Sequence, residues 1–297
     1  MMGFTALFKR DTKLFFKDKG LFFTALITPL ILLVLYAVFL GKVYKDSFLM
    51  AIPEGVAVAD SLMNGLVGGQ LLSSLLAVCC VTVAFCSNLL MVQDKISGAY
   101  KDLTMSPAKN GVLSLAYFLS CAFSTLVVCL VALGAGLLYL YFTGWYMTIT
   151  HVLVLLADVV IMVLFGTSLS SLVICKLTTQ GQASAVGSIV SSVYGFICGA
   201  YMPISSFPEG LQKALMFLPG TYGTALLRNH CLDGVFAEME ATGLPAELIT
   251  GLKDSVDCNL YVFGASVEMP GIYAVLLGVT AALVLGYVLL CRFQKKK

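Results

Sequence analysis

Long apolar runs separated by short polar segments dominate the pattern of this chain. The runs lie near residues 21–40, 66–91, 112–138, 152–174, 184–201 and 271–291. Each is long enough to cross the apolar core of a bilayer, which takes about 20 helical residues. Backbone groups inside a bilayer must be satisfied within the segment, so runs of this length fold as helices. The pattern predicts an all-α integral membrane protein with six transmembrane helices.

A shorter amphipathic pattern precedes the first apolar run, over residues 4–19. Apolar side chains gather on one side of a helical wheel, and basic side chains form a stripe on another. The basic side chains are those of Lys9, Arg10, Lys13 and Lys17. This pattern predicts an interfacial helix in the headgroup layer, although Asp11 falls inside the apolar arc. Such a helix either anchors the first span or also holds a partner against the membrane.

The polar segment 93–111 lies between the second and third apolar runs. Its apolar residues Ile96, Ala99, Tyr100 and Leu103 have the spacing of one helix face. This spacing predicts a short amphipathic helix that stops at Ser106-Pro107, because proline disfavours helix at the residue before it. Gly98 would weaken that helix, so its presence suggests a close approach by another group. The alternative is a plain connection between two spans.

A second polar segment follows the fifth run, over residues 202–269. The spacing of Ser206 and Glu209 is that of a capping box, with Pro208 in the first turn, and the helix it starts should stop before Pro219. A second short helix is predicted from Thr221 to near Arg228. Two half-length helices directly after a span predict a re-entrant hairpin. The remainder is predicted to be a polar external loop with a short helix near residues 245–253.

Composition supports a membrane protein, since 59% of the 297 residues are hydrophobic, 11% are charged and the mean hydropathy is +0.96. A single membrane domain is expected over residues 1–297. Five Lys and Arg residues precede residue 20, three lie in 93–111, one is Lys176 and four follow Cys291, which makes 13 of 18 on one side. By the positive-inside rule both termini are cytoplasmic, in a multi-pass protein of the cell membrane.

Asp158 is the only ionisable residue deep in an apolar run, where exposure to lipid would cost about 2.5–3.5 kcal/mol. It should therefore face protein or water, either on a transport path or in a hydrogen bond to a Ser or Thr of a neighbouring span. The fifth run carries small residues three or four apart, including Ser188 and Ser192. This stripe favours close helix packing, with some hydroxyl groups on a substrate path as the alternative.

Eight of the ten cysteines lie in or at the ends of apolar runs, where cysteine usually acts as a small hydrophobe. Cys231 and Cys258 share the predicted external loop, and they are equally compatible with a disulfide and with two free thiols. The cysteine and histidine spacings predict no metal site. The chain has no G-x-x-x-x-G-K-[ST] motif, no nucleophile elbow and no H-E-x-x-H motif, so an ATPase, hydrolase or metalloprotease is not expected.

The chain resembles the permease subunits of ABC-2 type ABC transporters at two places. In the segment 93–111 the resemblance rests on Asp94, Gly98, Asp102, Leu103 and Ser106-Pro107. Where the family often has a pair of glutamates before the glycine, this sequence has Asp94, Lys95 and Ser97. The second and more specific match is a Pro-x(4)-Pro, then Leu-Pro-x-x-Tyr, then Arg arrangement, formed by Pro203, Pro208, Pro219, Tyr222 and Arg228.

The resemblance implies a permease without enzymatic activity, acting as a homodimer or heterodimer in the lipid bilayer with a separate ABC ATPase that binds ATP and Mg. The chain itself would bind no cofactor and no nucleic acid. Coupling to the ATPase would fall to Asp94, Ile96, Gly98, Tyr100, Lys101, Asp102, Leu103, Ser106 and Pro107. Export of a drug-like, peptide, lipid or glycan substrate is expected. The alternatives are a secondary transporter or channel, or a membrane scaffold that transports nothing.

Overall fold

A computed structural model describes residues 2–51, 58–106, 110–262 and 264–293. About 85% of the described residues are helical. Its first half contains α1 (Met2–Lys17), α2 (Lys19–Leu35), a π-helical segment (Tyr36–Leu40), α3 (Gly41–Ala51), α4 (Asp60–Ser97), α5 (Ala99–Met105) and α6 (Asn110–Thr143). Its second half contains α7 (Ile149–Ile174), α8 (Gln180–Ile197), a 3-10 turn (Ile204–Ser206), α9 (Glu209–Leu215), α10 (Pro219–Ala241), α11 (Ala246–Ser255), β1 (Leu260–Val262), β2 (Ala265–Val267) and α12 (Met269–Phe293).

Within the described ranges, five helical segments are long and apolar enough to cross a membrane. They are Lys19–Met50, Asp60–Ser97, Gly111–Thr143, Ile149–Ile174 and Met269–Cys291. They correspond to five of the six predicted spans, and the protein is therefore a multi-pass helical membrane protein. The predicted fifth span corresponds to α8, which is not among them because glutamine, serine and glycine lower its hydropathy. A sixth span stays a prediction.

Helix α4 is the centre of the bundle. It contacts α2, α6, α7, α8 and α10, and the most apolar window of its span is 94% buried. A helix that is apolar all round is expected to be enclosed by other elements. Close contacts depend on glycine, because a Cβ at Gly166 of α7 would collide with the carbonyl oxygen of Cys80, and a Cβ at Gly136 of α6 would collide with Leu72. Movement of α4 would therefore reach most of the bundle.

The predicted amphipathic helix in the segment 93–111 is divided in two, so its prediction as one helix is wrong. Helix α4 continues to Ser97, Gly98 has a φ of 85°, and α5 begins at Ala99. Residues with a side chain rarely adopt this left-handed conformation, which explains the glycine. Helix α5 ends at Met105, as the Ser106-Pro107 pair predicts. Pro107 itself lies outside the described residues.

The segment 202–269 differs from its prediction in two respects. The capping box does not form, since Pro208 is the N-cap of α9 and makes no side-chain bond there. Gln212 instead donates its amide hydrogens to the carbonyl oxygens of Ser205 and Phe207. Helix α10 does not end near Arg228 but continues to Ala241, because the following residues contain no proline and bury an apolar face at helical spacing. That face consists of Leu232, Val235, Phe236 and Met239.

Helix α11 confirms the short helix predicted near residues 245–253. After it, β1 and β2 form an antiparallel hairpin that pairs Leu260 with Val267, which the sequence did not predict. We call this side of the molecule the β-hairpin end, and the opposite end of α4 the α5 end. The re-entrant position of α9 and α10 stays a prediction.

Candidate functional site

The α5 end is organised by an ion pair between α1 and α4. Arg10 donates Nη1 to Asp94 Oδ2 and Nη2 to Asp94 Oδ1, both at 2.8 Å. The planar guanidinium and the carboxylate thus form a bidentate pair, the strongest geometry for these groups. The Tyr117 hydroxyl of α6 also donates to Asp94 Oδ2. Through these bonds the Asp94 carboxylate connects α1, α4 and α6. It is enclosed by these helices, since Asp94 is 5% exposed.

Asp11 explains the acidic interruption in the amphipathic pattern of α1. Its side chain is buried, and Oδ1 accepts a hydrogen bond from Arg10 Nη1 at 2.7 Å. Burial raises the pKa of Asp11 to about 6, against the opposing effect of Arg10. Of the predicted basic stripe, Lys9, Lys13 and Lys17 are exposed, whereas Arg10 is directed into the protein.

The apolar face predicted for the segment 93–111 is divided, with some of its side chains packed against the bundle and others exposed. Tyr100 stacks on Tyr117 with ring centroids 6.4 Å apart, and Leu103 packs against the cluster that contains Tyr117. Ile96 is 51% exposed and Met105 is 83% exposed, with the exposed Lys101 and Asp102 between them. We call Ile96, Lys101, Asp102 and Met105 the α5 surface.

Lys95, in the last turn of α4, fixes this end of the bundle to the turn after α7. Its Nζ donates to the carbonyl oxygens of Cys175 and Leu177 at 2.7 and 2.9 Å, which lie directly after the end of α7. Ser106 donates its hydroxyl hydrogen to the carbonyl oxygen of Leu103 at the end of α5. Helix α5 itself packs on α4 and α6, so its displacement would be transmitted to these two helices.

The serine stripe of α8 faces a cleft of about 550 Å³ between α8, α2 and α4. Ser188 and Ser192 both line this cleft and are exposed. Asp18 and Gln93 line it near the α5 end. The cleft wall thus presents hydroxyl, amide and carboxylate groups.

Asp158 faces the protein interior and is 0% exposed. Its Oδ1 accepts a hydrogen bond from the Tyr273 hydroxyl at 2.7 Å, and its Oδ2 lies 2.5 Å from Nδ1 of His230. The partners are therefore neither Ser nor Thr, contrary to the expectation for the structural alternative. Asp158 joins α7 to α10 and α12 and does not line the cleft beside Ser188.

We expect these bonds to make Asp158 chiefly a structural tie. Asp158→Leu leaves the Tyr273 and His230 donors unpaired at roughly 1–3 kcal/mol each, which should lower the apparent melting temperature by roughly 5–10 °C. Asp158→Asn keeps an acceptor and should melt close to the wild type in a fluorescence scan of the purified protein. Loss of transport by a stable Asp158→Asn variant would instead assign the charge to the transport path.

Arg228 is the centre of the β-hairpin end and is 1% exposed. It donates to the carbonyl oxygens of Gly199 at 2.6 Å and Val256 at 2.8 Å, and to Asp257 Oδ2 at 3.1 Å. Asp257, at a φ of 52°, also accepts from the backbone N–H groups of Ile204 and Ser205. The pair thus fixes the turn after α8 to the end of α11.

In the part of the chain that the structure describes, none of the prolines of the family pattern takes part in the hydrogen bonds of Arg228 and Asp257. Pro203 is buried beside the 3-10 turn, Pro208 is exposed at the start of α9, and Pro219 begins α10. Tyr222 is 6% exposed in the first turn of α10. Cys231 and Cys258 are both buried and present as free thiols, and burial raises the pKa of Cys258 to about 12.

Several residues of these sites were not identified from the sequence, namely Tyr117, His230, Asp257 and Tyr273. Only His230 carried a usable signal, since it is one of two histidines and lies within a helical apolar pattern. Among the residues that the structure describes, no group of three or more His, Cys, Asp or Glu side chains could hold a metal ion.

Comparison with known proteins gives one match. A family model described as ABC-2 type transporter matches residues 2–231. The matched region contains α1, the α5 surface, the cleft, Asp158 and Arg228, whereas Asp257 and Tyr273 lie beyond it. No curated protein and no solved structure matches the chain.

Proposed function

The chain belongs to the ABC-2 type transporter family, and from that premise we propose that it is the permease of an ATP-driven exporter whose ATPase is a separate subunit. The family match over residues 2–231 is the observation that carries the proposal. ATP and Mg would bind to the ATPase. The proposed cargo is a drug-like molecule, a peptide, a lipid or a glycan.

The ATPase is proposed to bind at the α5 surface and the lysines of α1. Support comes from Ile96 and Met105, apolar side chains exposed beside charged groups, and from the packing of α5 on α4 and α6. Closure of the ATPases would displace α5 and α1 together. The Arg10–Asp94 pair links α1 to the end of α4, and α5 continues from that end. Shifting a two-state equilibrium from 1:99 to 99:1 requires about 5.5 kcal/mol of differential binding.

The cleft beside Ser188 and Ser192 is the proposed substrate path. A second permease subunit, identical or different, would complete it across the open side of α2 and α8. The same proposal includes six spans with α8 as the fifth, a re-entrant α9–α10 hairpin, and cytoplasmic termini in the cell membrane. Secondary transport is less well supported, since Asp158, the residue that suggested it, is engaged by His230 and Tyr273.

The proposed orientation predicts opposite labelling of the two ends. On intact cells, an impermeant maleimide should label Thr250→Cys on α11 but not Ser97→Cys beside α5. Both positions are exposed on the protein, so a difference in labelling reports the side of the membrane on which each lies. The natural cysteines give little background, because nine are buried and Cys291 is half-buried. Labelling of Ser97→Cys alone would show that the topology is the reverse of the proposed one. Labelling in permeabilised cells is the control that both introduced cysteines can react.

Blocking the cleft should stop transport without releasing the ATPase. We expect the Ser188→Trp and Ser192→Trp variants to lose at least tenfold in ATP-dependent uptake into inverted vesicles, because an indole fills space that the cargo needs. The measurement uses a panel of fluorescent drug-like and lipid probes. Ile189→Trp is the matched control, since Ile189 is 61% exposed on α8 and does not line the cleft.

Equal uptake by all three variants would remove the cleft from the path. Uptake that persists without ATP would favour a secondary transporter instead. A chain that binds its ATPase but takes up no probe would be consistent with a scaffold, and a broader probe panel would then be needed to retain the exporter proposal.

A further inference from the structure

A pocket of about 680 Å³ lies at the β-hairpin end, away from the α8 cleft. One wall is α9, and the other is formed by the end of α11 and the β-hairpin. Asp257, already bound by Arg228, and Tyr222 lie between the walls. This volume falls in the range of about 300–1,000 Å³ that small-molecule sites occupy.

Three polar side chains of the pocket, those of Gln212, Asn259 and Tyr261, donate hydrogen bonds within the protein. Gln212 donates its amide hydrogens to the carbonyl oxygens of Ser205 and Phe207 at 3.1 and 2.7 Å. Asn259 donates Nδ2 to Asp254 Oδ1 at 2.7 Å, and the Tyr261 hydroxyl donates to the same oxygen at 3.0 Å. Both donors on Asp254 therefore use one carboxylate oxygen.

The acceptors of the same residues are left for a ligand. Gln212 retains Oε1, Asn259 retains Oδ1 and Asp254 retains Oδ2, none of which receives a hydrogen bond from the described residues. The exposed carboxylate of Glu209 adds further acceptors, and Lys213 is the one cationic side chain among the described residues that line the pocket. A ligand that supplies several N–H donors and a positive charge matches this set.

Aromatic side chains supply the second half of the site. Phe217, Tyr222 and Tyr261 line the pocket, with Phe217 72% exposed and Tyr261 45% exposed. Aromatic faces attract cations and also cover apolar groups. Quaternary ammonium groups would also be attracted by the rings and the carboxylates, but they have no N–H and could not hydrogen-bond to the acceptors.

From this pocket we propose a binding site for small primary-ammonium cations that carry an aromatic or aliphatic body. The ammonium group would lie between Asp254 and Glu209 and donate to Asp254 Oδ2 and Gln212 Oε1. The body would rest on Phe217 and Tyr261. The site does not depend on the proposed transport function, because all its residues lie at the β-hairpin end and none lines the α8 cleft.

Two dansyl probes of opposite charge test the site directly. Dansylcadaverine carries a primary ammonium group, and dansylglycine carries a carboxylate on the same fluorophore. By fluorescence polarisation with the purified full chain, dansylcadaverine should bind at least tenfold more tightly than dansylglycine. Asp254→Asn combined with Glu209→Gln should weaken dansylcadaverine binding at least tenfold, whereas Glu247→Gln, an exposed charge on α11 outside the pocket, should change it less than twofold.

Phe217→Ala tests the aromatic wall without altering any charge and should weaken binding about fivefold, consistent with a loss of about 1 kcal/mol. Melting temperatures of all variants verify that they are folded. Equal binding of the two probes, or unchanged dansylcadaverine binding in the folded double variant, would overturn the proposal. Preferential dansylglycine binding that is lost in Lys213→Met would also overturn it, in favour of an anion site.

Discussion

Replacing Arg228 with methionine is expected to lower the apparent melting temperature of the purified protein by roughly 10 °C, the largest stability effect of any single change considered for this chain. Methionine matches much of the apolar stem of arginine but leaves the Asp257 carboxylate buried without its cation. Removing one partner of a buried ion pair costs about 3–5 kcal/mol. The carbonyl oxygens of Gly199 and Val256 lose their donor as well.

The Arg228 effect has two internal controls. In the Arg228→Met background, Asp257→Asn should restore part of the loss, because the unpaired charge is gone and the amide oxygen still accepts from one of the two N–H groups, those of Ile204 and Ser205, that bond to separate oxygens of Asp257. Lys42→Met removes an exposed cation and should change the melting temperature by less than about 1 °C. A fluorescence scan that places Arg228→Met within 2 °C of the wild type would contradict the assigned role.

The helical framework could be predicted because hydropathy and backbone satisfaction alone determine it. Apolar runs predicted α4, α6, α7 and α12 as spans, since a bilayer leaves them no other structure. Helix α8 is less apolar than these spans, because its serines and glycines lower its hydropathy. The extent of α10 was missed because a capping argument identifies where a helix starts, whereas its length depends on burial against α4 and α7.

The sequence predicted which side chains share a surface at the candidate sites, but not which side chains pair with each other there. Helical periodicity identified the segment 93–111 and the basic residues of α1, yet it could not show that Arg10 pairs with Asp94, 84 positions away. Likewise, Asp158 could be predicted to face inward from the cost of exposure, but not to meet His230, 72 positions away. A single sequence determines which side chains share a helix face, and only the tertiary arrangement determines what that face contacts.

Making the α5 surface acidic is expected to detach the ATPase. Ile96 and Met105 are exposed apolar side chains at the α5 end, where a soluble partner can reach them. Replacing both with aspartate would bury two carboxylates in the interface without partners. Central interface residues each contribute about 2 kcal/mol or more, so binding should weaken at least a hundredfold. Neither side chain belongs to the buried core, so folding should be preserved.

The matched control is a pair of equivalent charge changes at the opposite end. Ala246→Asp and Thr250→Asp introduce the same two charges on α11, where both positions are exposed and lie outside the proposed re-entrant hairpin. This variant should retain the ATPase. Tyr100→Asp and Leu103→Asp are less informative, because those side chains pack against the cluster around Tyr117 and their loss would disturb the bundle itself.

The most direct measurement of the central claim is the ratio of ABC ATPase to this chain after purification from its native membrane by a tag at the carboxyl end. Quantitative mass spectrometry should find a stoichiometric subunit with a phosphate-binding loop beside the wild type and the Ala246/Thr250 control. The Ile96→Asp/Met105→Asp variant should retain less than a tenth of it. An undiminished ratio in that variant, or no ATPase with the wild type, would contradict the claim that a separate ATPase drives this permease through α5.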